Sequence, residues 1–261
     1  MLTNIYHITY TPEIKEVELF FWGCNMTCKG CLCKRTAWDF LLKETKTDLT
    51  KPPLEGMAKP PEKFLELEEV LQILDKLDIK QITLGGMEPT IDPMFPEITK
   101  ALHERYGSFN VVFTNLYEIS DFKDTDIVVF GLNAVTDSLH EDYCGNSNKQ
   151  ILENFAKVYQ QGNKLGVATP FIPGYIGIQE IENIAKFLAD TSKDISYFIR
   201  PYCVAGDNPW RSPDHQEMDE AVSTARKHLN KVNFLYGDEE LKFEVITIFP
   251  DSGSLTKIVQ G

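Results

Sequence analysis

Short β-branched or aromatic runs alternate with helix-period stripes along most of this chain, and that alternation limits its possible folds more than any other feature. A strand followed by a helix, repeated, packs as βα units around a parallel sheet. The strand candidates are residues 17–22, 81–84, 110–114, 127–132, 165–169, 195–200 and 243–249. Most are continuously apolar, which predicts cover on both faces of the sheet. Between them Leu67, Val70, Leu71, Leu74 and Leu77 share one helical face, as do Ile151, Phe155 and Val158, and then Ile181, Ile184, Ala185 and Leu188. Residues 43–63 break the rhythm with Pro52-Pro53, Pro60-Pro61, Gly56 and many charges, so they are expected to form a long loop or lid. No linker divides the rest. The 261 residues are enough to bury a sizeable core without disulfide staples, and a single α/β domain over 1–261 is expected.

Charge narrows the function classes. Lysine and arginine number 26 against 39 aspartates and glutamates, a net charge of −13 that repels polyanions, so nucleic acid is not expected as a partner. No apolar run approaches the roughly 18 residues of a membrane span. The N-terminus has neither a basic start nor an apolar signal core, and a cytoplasmic protein is expected.

Four of the six cysteines, Cys24, Cys28, Cys31 and Cys33, lie within ten residues, which argues for a metal or redox site over disulfide staples. The run Cys24-Asn25-Met26-Thr27-Cys28-Lys29-Gly30-Cys31 starts just past the first expected strand. Three thiolates on one tight loop can each bind a different iron of a cubane cluster and leave the fourth iron open to a ligand. A structural zinc site with Cys33 as fourth ligand is an alternative, and buried cysteines without any ligand are another. A second signal follows the next strand: Gly85-Gly86-Met87-Glu88-Pro89. Paired glycines let a ligand approach the backbone, and an acid fixed by a following proline stands beside exposed carbonyls, an arrangement suited to a ligand ammonium group.

Together the two runs resemble the radical S-adenosylmethionine enzymes, with their CxxxCxxC signature and GGEP-type motif. The resemblance implies a partial (β/α)6 TIM-like barrel with one 4Fe-4S cluster on Cys24, Cys28 and Cys31 and S-adenosylmethionine on the open iron. Gly85, Gly86, Glu88 and Pro89 would then form the ammonium site. It also implies reductive cleavage of the cofactor to a 5'-deoxyadenosyl radical that abstracts hydrogen from a substrate. A narrower likeness, to glycyl-radical-enzyme activases, runs from the cysteine loop to Trp210. It rests on residues 137–148, 151–154 and 169–174, with Trp38-Asp39, Thr114-Asn115 and Arg200-Pro201-Tyr202 at similar positions.

This chain also departs from that subfamily. Phe113-Thr114-Asn115-Leu116 stands for Asp-Thr-Asn-Gly, Phe130-Gly131-Leu132-Asn133 for Leu-Asp-Leu-Lys, and Ala168 and Cys203 where arginine and histidine are common. Arg200 becomes the candidate grip for the methionine carboxylate, since a guanidinium can hold a carboxylate with two bonds; an ion pair at a strand end is the plain alternative. Thr114 or Asn115 is expected near the ribose, and Ile172 to Tyr175 near the adenine. Flavodoxin or ferredoxin is expected as electron donor, docking on a basic patch of Lys29, Lys34 and Arg35. Cys33, Cys144 and Cys203 are expected to be small core residues, and Tyr143, Tyr175, Tyr202 and Trp210 are core or pocket aromatics. No catalytic side chain is singled out. The substrate is either a protein, as for an activase, or a small metabolite or cofactor precursor, and a non-catalytic iron-sulfur protein is a third reading.

Overall fold

The computed structural model describes residues 1–45 and 59–260, with side chains through residue 257. Among the described residues nine strands form one sheet in the order β8-β7-β6-β5-β4-β3-β2-β1-β9. The strands are β1 (Ile5–Thr11), β2 (Glu16–Phe21), β3 (Gln81–Gly86), β4 (Phe109–Thr114), β5 (Ile127–Gly131), β6 (Leu165–Phe171), β7 (Ser196–Pro201), β8 (Val232–Phe234) and β9 (Ile246–Phe249). Every pairing from β2 to β8 is parallel, whereas β1 pairs antiparallel with both β2 and β9. The sheet does not close, and β2 to β7 make the partial barrel that the family resemblance implied.

The helices are α1 (Leu67–Leu74), α2 (Phe95–Tyr106), α3 (Asp137–Cys144), α4 (Lys149–Gln160), α5 (Ile178–Thr191), α6 (His215–Arg226) and α7 (Ser252–Gln260). Each packed stripe follows from helical spacing. Val70, Leu71 and Leu74 are buried on α1, Ile151, Phe155 and Val158 on α4, and Ile181, Ile184, Ala185 and Leu188 on α5. The link from β4 to β5 contains no helix.

The two faces of the sheet differ chemically. Val17, Leu19 and Phe21 of β2, Ile82 and Leu84 of β3, Val128 and Phe130 of β5 and Tyr197 and Ile199 of β7 are fully buried in the main core. Residues of the other parity, among them Glu18, Thr83, Val129, Ala168 and Arg200, lie outside that core. Cover on both faces was expected: β1, β3 and β6 are buried at consecutive positions, with a second small cluster of Tyr6, Phe20 and Ala37, whereas β5 and β7 alternate between buried and half-exposed residues. Glu16-Val17-Glu18-Leu19 alternates with period two, which is the pattern of a strand with one open face.

Expected strand limits hold within about two residues except at the C-terminus, where β9 is only the last part of 243–249. β1 and β8 were not foreseen. Of the expected 43–63 loop, residues 46–58 lie outside the described residues.

Candidate active site at the carboxyl ends of the parallel strands

Brought together here are the two sequence signals, by strand register. Phe21 at the end of β2 pairs with Gly86 at the end of β3, so both runs leave the sheet side by side. Main-chain bonds continue past the strands: Met87 N donates to Phe21 O at 3.0 Å and Glu88 N to Gly23 O at 3.0 Å. Gly86 has φ +86°, and a Cβ there would lie 2.9 Å from Phe21 N and O, so only glycine fits this approach. Met87, the residue inserted into the motif, accepts a hydrogen bond on Sδ from Gly23 N at 3.1 Å. It ties the two loops together.

Glu88 is only 1% exposed. Its Oε1 accepts from Thr90 N and Thr90 Oγ1 at 3.2 and 2.6 Å, and its Oε2 accepts from Asn115 N at 2.7 Å. Burial raises its pKa, and these donors oppose the shift. The carboxylate thus locks the β3 loop to the end of β4. Pro89 is buried and begins a short 3-10 turn, Pro89–Ile91, that Glu88 caps.

Asn115 Nδ2 donates to Asn25 Oδ1 at 2.8 Å and lies 3.6 Å from Cys24 Sγ, and Thr114 is buried with its hydroxyl toward Glu88. Both side chains brace the site. Ile172 is fully buried, in a turn where its N–H reaches Ile176 O.

The cysteine loop itself is held from outside. Thr27 N donates to Cys144 O at 3.1 Å and Lys29 N to Tyr143 O at 2.9 Å, so the C-terminal carbonyls of α3 receive the loop amides. Gly30 has no room for a side chain: a Cβ would meet Tyr143 Oη at 2.7 Å and Tyr202 Cε2 at 2.8 Å. Tyr143, Tyr202, Tyr175 and Trp210 form one aromatic cluster behind it, with Tyr175 and Trp210 stacked at 4.2 Å. These residues buttress the loop.

Two members of the expected basic patch are engaged with protein groups. Lys29 is paired with Asp142 at 2.6 Å, and Arg35 is 7% exposed and donates to Val204 O at 2.7 Å.

Burial pushes the Cys24 thiol up to about 12. The Cys144 thiol, and then burial, hold Cys28 well above its ordinary range. A hydrogen bond from Cys33, the largest influence, with Lys34 and Arg200 nearby, brings Cys31 down to about 7 against the opposing effect of burial. Among the described residues no three His, Cys, Asp or Glu side chains converge as metal ligands. The residues nevertheless fit a cubane cluster. Three soft thiol donors share one braced loop, Cys24 is influenced by the charges of Cys28 and Cys31, and Asn25 Nδ2 is a buried donor without an acceptor. Bound iron would ionise the thiols outright, whatever their free pKa.

Across the lumen Arg200 has an exposed surface, yet protein surrounds it closely enough that burial lowers its pKa. The two observations agree for a side chain facing a concavity. Among the described residues it has no hydrogen-bond or ion-pair partner. The β2 wall is acidic: Glu18 is raised well above the usual carboxylate range by burial and then by Asp39 and Glu16. Asp39 is also raised by burial, while Leu41 N and Thr9 Oγ1 donate to its carboxylate at 2.8 and 3.0 Å. Sequence reasoning missed Glu18, Cys144 and Asn25. The period-two pattern of β2 was the available signal for Glu18.

The family model for the radical SAM superfamily matches residues 20–188, which span both motifs. The chain belongs to the radical SAM superfamily. It is therefore an enzyme, and its cofactors are a 4Fe-4S cluster and S-adenosylmethionine. A Methanocaldococcus jannaschii protein provisionally described as a glycyl-radical enzyme activating enzyme is 26% identical over 245 residues, 89% of this chain and 84% of that protein. Two solved structures are similar in fold. A domain of pyruvate-formate lyase-activating enzyme from Bacteroides vulgatus has a TM-score of 0.51 at 19% identity, covering 60% of this chain and 99% of that one. QueE from Escherichia coli has a TM-score of 0.54 at 15% identity, covering 90% and 93%. Among the described residues of this radical SAM enzyme no helix is long and apolar enough to cross a membrane.

Proposed function

We propose that this radical SAM enzyme is a cytoplasmic activase that abstracts hydrogen from a protein substrate. One observation carries the reading: the 26% identity to an activase-described protein extends over 89% of the chain, well past the cofactor motifs that all superfamily members share. When bound, the reduced cluster and S-adenosylmethionine supply a 5'-deoxyadenosyl radical that takes a hydrogen atom from the substrate. Cys24, Cys28 and Cys31 hold the cluster. Gly85 and Gly86 present main chain to the methionine ammonium, and Glu88 with Pro89 keeps that main chain in place. Arg200, without a partner among the described residues, would grip the methionine carboxylate with two charge-assisted bonds. Thr114 and Asn115 would hold the ribose hydroxyls at the end of β4, and the turn at Ile172 would border the adenine. A flavodoxin or ferredoxin supplies the electron.

A second reading, a small-molecule substrate, is favoured by Glu18. That carboxyl has no hydrogen-bond donor among the described residues and faces the lumen, where a cationic metabolite could meet it. A neutral glycyl main chain would leave it unused.

Anaerobic reconstitution with iron and sulfide, followed by dithionite and S-adenosylmethionine, tests the chemistry. 5'-Deoxyadenosine is expected from the intact chain and not from Cys28→Ala. Incubation with a glycyl-radical protein encoded beside this one is then expected to give a backbone radical signal by electron paramagnetic resonance. Cofactor cleavage without that signal, but stimulated by a small cationic metabolite, would favour the second reading.

A further inference from the structure

Asn115 stands just past the end of β4, and three hydrogen bonds fix it there. Its main-chain N–H donates to Glu88 Oε2 at 2.7 Å, its Oδ1 accepts from Tyr117 N at 2.8 Å, and one Nδ2–H donates to Asn25 Oδ1 at 2.8 Å. Tyr117 N can only donate, which settles which end of the Asn115 amide is the oxygen. Leu116, next along the chain, is held at φ +55°, a left-handed conformation that leucine rarely adopts, and Asn154 Nδ2 donates to its carbonyl at 2.9 Å. A side-chain amide has two N–H donors, and Asn25 leaves one of them free. That second N–H donates to Cys24 Sγ, with nitrogen and sulfur 3.6 Å apart. One chain of bonds therefore runs from Glu88 of the glycine-rich motif, through Asn115, to the first cysteine of the loop.

We propose that Asn115 is a positioning residue that tunes the cluster: its amide N–H donates to the Cys24 sulfur and raises the cluster's reduction potential. The inference rests on the reading that Cys24 is a cluster ligand. A ligand thiolate can only accept, and a hydrogen bond to an ionised sulfur is stronger than one to a thiol. Reduction adds negative charge that spreads onto the ligand sulfurs, and a donor hydrogen bond to one of them stabilises the reduced state more than the oxidised one. The second lone pair of Asn115 Oδ1 stays available to a ribose hydroxyl, so the two roles do not compete. Glu88 then acts on the cluster as well as on the cofactor loop, because it anchors the Asn115 main chain.

The test is an anaerobic redox titration of the reconstituted protein, followed by electron paramagnetic resonance without S-adenosylmethionine, on the native chain, Asn115→Ala and Asn25→Ala. Iron and sulfide content is measured in parallel. The expected result is a full cluster in both variants. At a fixed solution potential the oxidised-to-reduced ratio of Asn115→Ala should rise about tenfold, a midpoint ~59 mV more negative for a one-electron couple. Asn25→Ala removes the brace on Nδ2 but leaves Asn115 held by Glu88 and Tyr117, so its midpoint should lie close to the native one. An Asn115→Ala midpoint equal to the native one overturns the proposal. An equal shift in both variants also overturns it, because bracing of the loop would then account for the effect. Should Asn115→Ala fail to hold a cluster, the other two chains decide by electron-nuclear double resonance after isotopic labelling of the asparagine amide nitrogens. The reduced cluster should couple to a labelled nitrogen in the native chain and in Asn25→Ala, and absence of that coupling from either overturns the proposal. If the native chain takes up no 4Fe-4S cluster, the cluster reading itself fails and this inference fails with it.

Discussion

Glu88 shows how one side chain can hold an active site without exposing itself to it. Three protein donors converge on its carboxylate at 2.6–3.2 Å. Glu88→Ala would leave part-buried donors on Thr90 and Asn115 unpaired, and an unfolding free energy lower by roughly 1–3 kcal/mol is expected from denaturant titration. Glu18 behaves in the opposite way. Burial and neighbouring acids raise its pKa in the folded state, so the fold favours the protonated form. The native state then binds more protons than the unfolded state above the ordinary carboxylate range, and stability falls as pH rises through that window. Glu18 and Asp39 titrate as a pair, so the fall belongs to both. Glu18→Gln is expected to be more stable than the native chain at neutral pH and to lose that advantage near pH 4. Denaturant midpoints across that range check it.

At the scale of elements, two glycines set how closely loops and strands approach. Gly86→Ala combines a positive φ with a Cβ 2.9 Å from the Phe21 main chain. Strain of this kind costs about 1–3 kcal/mol before the clash is counted. The end of the β2–β3 ladder should open, and binding of S-adenosylmethionine, measured by calorimetry on the reconstituted protein, should weaken at least tenfold. Gly30→Ala would press on Tyr143 and Tyr202, both of which are buried. Iron and sulfide uptake per chain should fall while the far-ultraviolet circular dichroism stays unchanged, because the strain lies in a loop braced by α3 and not in the sheet. Lys29 and Asp142, by contrast, form a half-exposed pair at 2.6 Å, and such pairs contribute little to stability.

For the whole molecule, most of the packing lies in one main core, with a smaller cluster of Tyr6, Phe20 and Ala37 apart from it. Phe155 lies between Phe130 of β5 and Phe187 of α5, with ring centroids 5.7 and 5.4 Å away, and is fully buried. Phe155→Ala should cost about 3–5 kcal/mol, through lost burial and the cavity left behind, with little change in denaturant dependence. The opposite face carries Glu18 and Arg200, which contribute no such packing. This division lets the inner wall carry charged groups while the outer wall holds the barrel, and loops at one end of parallel strands then converge on a single site.

The sequence by itself determined the order of strands and helices and the two motifs. Each is a local property: apolar spacing reports the face that packs, and loop cysteines and glycines report the chemistry of a few consecutive residues. Helix α4 and strands β2 to β7 were legible for that reason. Two-sided burial holds along β1, β3 and β6 but not along β5 and β7; β8 escaped because a three-residue edge strand carries little pattern of its own, and β1, seven residues long between β2 and β9, was not recognised although it is buried almost throughout. Only the tertiary structure decided which side chains meet. Asn115 and Asn25 lie 90 positions apart yet share a hydrogen bond, and Arg200 of β7 lies close enough to Cys31 and Tyr143 to influence them electrostatically. Such meetings depend on register, on the C-terminal end of α3 and on the curvature of the sheet, none of which is encoded in neighbouring residues.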